Sequence, residues 1–107
     1  MNAAERRARW HYALRGYRIL DTNVWAGGNE LDLVVRRGRR LVFCEVKSRS
    51  RTDYGDPIEM VRPEKLRRVR RAAEAWLAAH PECAKLEVRF EVVGVHRSRL
   101  ERVPADF

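Results

Sequence analysis

Two short apolar runs carry acids at positions where a protein core would take aliphatic side chains. The first is Glu30-Leu31-Asp32-Leu33-Val34-Val35, and the second is Leu41-Val42-Phe43-Cys44-Glu45-Val46-Lys47. Alternate residues of a strand share a face, so Leu41, Phe43, Glu45 and Lys47 point the same way. Two opposite charges therefore end a hydrophobic stripe, where desolvation is costly unless they find partners or a metal. The connection from Arg36 to Arg40 is short enough for a hairpin, which brings Asp32 close to Glu45. An Asp followed by Glu-x-Lys on the next strand is the set that a metal-dependent phosphodiesterase needs.

Phosphodiester cleavage requires an activated water, neutralisation of charge at the phosphorane and help for the leaving oxygen. A divalent cation on carboxylates can supply all three, and oxygen ligands suit Mg²⁺ or Mn²⁺. Asp32 and Glu45 are the candidate ligands, with the carbonyl of Val46 as a further oxygen. Lys47 points at the same spot, where it could orient water or offset phosphate charge. Glu5 approaches from a helix and completes an acidic ring. Glu30 shares a face with Asp32 but lies nearer a turn, which gives it an outer place. The structural alternative makes Glu45 and Lys47 a surface pair at a strand end and Asp32 a solvated hairpin residue. That alternative must explain two acids inside apolar strands together with an inward helical Glu; a site explains all three.

The elements that must position these groups follow from periodicity. Ala4, Ala8 and Tyr12 predict a helix over 3–15, with Glu5 on the inward stripe and Gly16 as its stop. A strand is predicted over 17–24 and a turn at Ala26-Gly27-Gly28-Asn29, then strands over 30–36 and 40–47 around Gly38. The polar segment 48–61 reads as a loop of a length that often carries function. Arg62-Pro63-Glu64 opens a second helix, whose buried stripe is Leu66, Val69, Ala73, Trp76 and Leu77. Arg67, Arg68, Arg70 and Arg71 cluster near its start, and His80-Pro81 ends it. A last strand is predicted over 86–95, with Val88, Phe90 and Val92 on one face; 97–107 shows no period.

The 107 residues are expected to form one domain, without repeats or linkers. A formal net charge of +8 on so short a chain favours an anionic polymer as partner. Arg49, Lys65, Arg67, Arg68 and Arg71 are the candidate phosphate contacts. Trp25, in its glycine-flanked turn, is the most interesting of three tryptophans for stacking on bases. No obvious reader of base edges is present, so recognition of shape or backbone is expected. Cys44 and Cys83 have no metal spacing, and His11, His80 and His96 are scattered. A charged N-terminus and the lack of a long apolar run predict a cytoplasmic protein.

The assembled residues resemble the restriction-endonuclease-like superfamily, the PD-(D/E)xK nucleases. More closely, they resemble the YraN-like uncharacterised family, which is similar to archaeal Holliday-junction resolvases. The resemblance runs through Glu5-x-x-Ala8, Tyr12, Gly16-Tyr17, Asn23, Glu30-Leu31-Asp32-Leu33, Glu45-Val46-Lys47 and Arg49. It continues through Tyr54-Gly55-x-Pro57, Lys65, Trp76-Leu77, Arg89-Phe90-Glu91-Val92-Val93 and Phe107. It implies an α/β fold with a mixed central sheet flanked by helices, Mg²⁺ as cofactor, and catalytic positions at Glu5, Asp32, Glu45 and Lys47. Asn29, Cys44 and Glu91 depart from the family's usual Gly, Val and Asp, and none touches those four positions. The expected function is a Mg²⁺-dependent nuclease acting on nucleic acid, DNA favoured over RNA, in branched or otherwise structured form. A homodimer would suit a resolvase, which cuts two equivalent strands. The alternatives are a non-catalytic nucleic-acid-binding module on the same fold and an adaptor whose basic face contacts ribosomal RNA.

Overall fold

A computed structural model describes residues 1–48 and 62–105. Arg49, the Tyr54-Gly55-Asp56-Pro57 segment and Phe107 lie outside the described residues. The chain runs α1 (Ala3–Leu14), β1 (Arg18–Ala26), β2 (Asn29–Arg37), β3 (Arg40–Ser48), α2 (Pro63–Ala78), a 3₁₀ turn (Pro81–Cys83), β4 (Glu87–His96) and β5 (Arg99–Pro104). The five strands form one sheet in sequence order. All neighbours are antiparallel except β3 and β4, which are parallel and joined by the crossover containing α2. The mixed α/β architecture expected from the resemblance is present, and it is compatible with a restriction-endonuclease-like fold.

Each helix covers one face of the sheet. Ala4, Ala8 and Tyr12 of α1 pack on Leu33, Val35, Val42 and Cys44. On the other face Val69, Ala72, Ala73 and Trp76 of α2 pack on Leu31, Val34, Leu41 and Phe43. Among the described residues the largest fully buried side chains come mostly from β2 and β3; this explains why both strands read as nearly continuous apolar runs. A capping box starts α1: the Glu5 amide donates to Asn2 Oδ1 at 2.8 Å, and the Asn2 amide donates to Glu5 Oε1 at 3.1 Å. Gly16, with φ +86°, ends that helix in the left-handed conformation.

One expectation needs correction. The tail forms a strand, β5, paired antiparallel to β4 from His96↔Arg99 to Glu91↔Pro104. Arg99-Leu100-Glu101-Arg102-Val103-Pro104 holds only two large aliphatic residues, and charge and proline suit an edge strand, so its period is faint. On β4, Val88 at the strand's start is 37% exposed, because β4 enters the core only from Phe90 onward. No helix among the described residues is long and apolar enough to cross a membrane.

Candidate active site

The candidate site lies where β2 and β3 part. Their registered ladder runs from Arg37↔Arg40 to Leu33↔Cys44 and stops one step short of Asp32 and Glu45. The alternation of β2 breaks at the same place, for Leu31 packs on the α2 side and Leu33 on the α1 side. Asp32 replaces the next rung with its side chain: the Val46 amide donates to Asp32 Oδ2 at 2.8 Å. Burial holds the Asp32 carboxyl above its ordinary range, and that hydrogen bond opposes the effect.

Glu5, Glu30 and Asp32 converge on the α1 side, with one carboxylate oxygen from each lying within 4.8 Å of the others. Asn23 ties two of them together. Its Nδ2 donates to Glu5 Oε2 at 3.1 Å and to Glu30 Oε1 at 3.3 Å. Asn23 itself has φ +48°, a left-handed conformation that asparagine tolerates better than most residues. Glu5 is buried and its two oxygens are shared between the capping box and Asn23. Periodicity placed Glu5 inward but gave no sign of its cap, and it set Glu30 in an outer place. The structure brings Glu30 into the trio, through a pairing that depends on the β1–β2 hairpin.

Glu45 sits on the other side of the gap. It is 5% exposed and does not join the trio. Lys65, in the first turn of α2, reaches Glu45 Oε1 at 3.5 Å. Glu45 Oε2 is buried with no hydrogen-bond partner among the described residues. Burial first, then the charge of Asp32, pushes the Glu45 carboxyl up to about 7, while Lys65 and Lys47 pull it down. Lys47 is half-buried two residues along β3, close enough to act on Glu45 electrostatically. The Val46 amide is engaged by Asp32, and Val46 pairs with Val93 of β4.

Of the predicted phosphate contacts, Lys65 is thus committed to Glu45 in this state. Arg67, Arg68 and Arg71 are exposed along α2, and Arg68 pairs with Glu64 at 3.4 Å. The converging carboxylate oxygens of Glu5, Glu30 and Asp32 form a donor set of hard oxygens, the type that Mg²⁺ or Mn²⁺ accepts, with the buried Glu45 carboxyl across the gap. The residues present fit such an ion.

A mixed sheet with helices on both faces and acids gathered at a strand parting define an α/β protein whose architecture is compatible with a restriction-endonuclease-like fold. Comparison with known proteins places it more narrowly. The chain belongs to the uncharacterised protein family UPF0102, whose model matches residues 4–95. A UPF0102 protein from Frankia casuarinae is 52% identical over 87 residues, covering 81% of this chain and 73% of the relative. A UPF0102 protein from Rhodopseudomonas palustris strain BisB18 is 42% identical over 106 residues, 98% of this chain and 77% of the relative.

Proposed function

We propose that this protein is a divalent-metal-dependent nuclease that hydrolyses phosphodiester bonds, with DNA as substrate and the cytoplasm as its place of action. The observation that carries the reading is Glu45, a buried carboxylate with one oxygen unpartnered among the described residues, set beside Asp32 and two residues before a lysine. A core glutamate with only a structural role would have its second oxygen satisfied, because an orphaned buried acceptor costs about 1–3 kcal/mol.

Asp32 and Glu45 would hold the ion, with Glu5 and Glu30 as the acids flanking it. When bound, such an ion supplies Lewis acidity at the phosphate and a water acidified toward neutrality. The chain's own groups then have separable tasks. Asp32 is fixed by the Val46 amide, so its carboxylate is oriented before substrate arrives. Lys47 can donate to the attacking water or to a non-bridging phosphate oxygen, where negative charge grows in the transition state. Lys65 balances part of the Glu45 charge. The net charge of +8, with the exposed arginines of α2, attracts the polyanion despite the local acids.

A labelled panel of single strand, duplex, flap and four-way junction, incubated with Mg²⁺ or Mn²⁺, tests the reading. Metal-dependent cutting abolished by Asp32→Ala and by Lys47→Ala is the expected result. Tight binding without cutting under either metal would refute it. A second reading, a binding module without turnover, is favoured by the Glu5 capping box and the Lys65–Glu45 pair, which give two of the acids structural employment. That module would bind in a salt-sensitive way indifferent to Mg²⁺.

A further inference from the structure

Trp76 is 3% exposed in the core, whereas Trp25 is 72% exposed. Its position is fixed by register. Trp25 faces Glu30 across the β1–β2 ladder, and directly opposed residues of an antiparallel pair project from the same face. Val24 and Ala26 on either side pack with the α2 cluster, so the alternation turns Trp25 to the α1 side. That is the side on which Glu30 meets Glu5 and Asp32. The register therefore puts Trp25 opposite Glu30, on the face of the sheet that carries the acidic trio.

The hairpin that carries Trp25 turns on two glycines and lies close against α2. Gly27 and Gly28 both have positive φ, +56° and +79°, the pattern of a tight two-residue turn. Gly27 also lies against the backbone of α2, where a Cβ would meet Arg71 O at 3.0 Å and the Ala72 Cα at 3.1 Å. A flat, polarisable ring is thus exposed on the same face as a candidate phosphodiester site, across the β1–β2 ladder from one of its acids, on a basic protein. A base inside a duplex has both faces covered by its neighbours; only an unpaired or splayed base can lay a face on an indole.

We propose that Trp25 is a base-stacking platform at the rim of the acidic cluster, and that the polynucleotide taken there presents an unpaired nucleobase next to the bond that is cut. The inference deepens the nuclease reading and rests on it for the cutting, but the stacking can be tested by itself. Trp10, the other strongly exposed tryptophan, lies with Arg7, His11, Leu14 and Leu100 and serves as the control.

The test is the dissociation constant, by fluorescence anisotropy in EDTA, of labelled single-stranded, flapped and blunt duplex DNA for wild type, Trp25→Ala, Trp25→Phe and Trp10→Ala. Trp25→Ala is expected to weaken binding of the single strand and the flap roughly 5- to 100-fold, and of the blunt duplex less than about 2-fold. Trp25→Phe, which keeps a ring, should recover most of the loss and guards against an effect on folding. Trp10→Ala should bind like wild type. Equal affinities of Trp25→Ala and wild type for every DNA, or an equal loss on all three, overturn the stacking role. Cutting by wild type with undiminished binding by Trp25→Ala removes the stacking and leaves the nuclease. Trp25-dependent binding without cutting under any metal upholds the stacking and removes the nuclease.

Discussion

The Val46 amide donates a 2.8 Å hydrogen bond to Asp32 Oδ2 at the point where the β2–β3 ladder stops. A side chain thus takes the place of a backbone acceptor, and the carboxylate is fixed across the gap from Glu45. The separation of stability from activity begins at this bond. Asp32→Asn keeps a carbonyl that the Val46 amide can still reach, while it removes the charge that burial disfavours. We expect its melting temperature to equal or exceed that of wild type and its cleavage rate to fall at least about 100-fold. Thermal melts and single-turnover assays on one preparation check both; a variant as active as wild type would remove Asp32 from the chemistry.

Glu45 predicts how stability depends on pH. Its folded value is pushed up to about 7 from the ordinary 4.5, by burial first and by Asp32 second. Between those values the folded chain holds a proton that the unfolded chain has released, so stability falls as pH rises through this window. The loss amounts to up to roughly 3 kcal/mol above neutrality. Urea unfolding from pH 4.5 to 8 should show that decline in wild type and a flatter profile in Glu45→Gln. Parallel profiles would mean that Glu45 does not titrate in this range.

The same acids predict a response to metal. Above pH 7, Mn²⁺ or Mg²⁺ should raise the melting temperature of wild type, because ligand that binds only the folded state stabilises it. The rise should vanish in Glu45→Gln and in Asp32→Asn. A rise that survives both substitutions would place the ion elsewhere.

Glu91, paired with Cys44 on β3, anchors β5. Arg102 donates to Glu91 Oε1 at 2.7 Å, and Tyr12, fully buried on α1, donates to the same oxygen at 2.6 Å. The guanidinium lies 4.7 Å from the Tyr12 ring centroid. Arg102→Ala leaves Glu91 without its cation among largely buried neighbours, and should cost about 2–3 kcal/mol in urea denaturation. Cleavage at a temperature where the variant is folded should be unchanged.

The two turn glycines should respond differently to alanine. Both pay for a positive φ, but only at Gly27 does the added Cβ strike the α2 backbone; at Gly28 nothing lies within 4 Å. Gly28→Ala is expected to cost about 1 kcal/mol, and Gly27→Ala clearly more. Equal melting temperatures would show that the hairpin can move off α2.

Much of this protein was legible from local pattern. The pleat alone put Leu41 and Phe43 on one face with Glu45, and helical spacing alone turned Glu5 inward, because both depend only on a repeat of the backbone. Gly16, Gly27 and Gly38 marked their turns for the same local reason. The tertiary structure decided what depends on distances between elements. Glu30 joins Glu5 and Asp32 only because α1 lies across the β1–β2 hairpin, and Asn23 bridges two of them from a third element. Lys65, read as a phosphate contact, meets Glu45 because α2 crosses from β3 to β4 and places its first turn over the gap. β5 was hidden because an edge strand needs little apolar surface; pairing with β4 and the Glu91–Arg102 contact hold it instead.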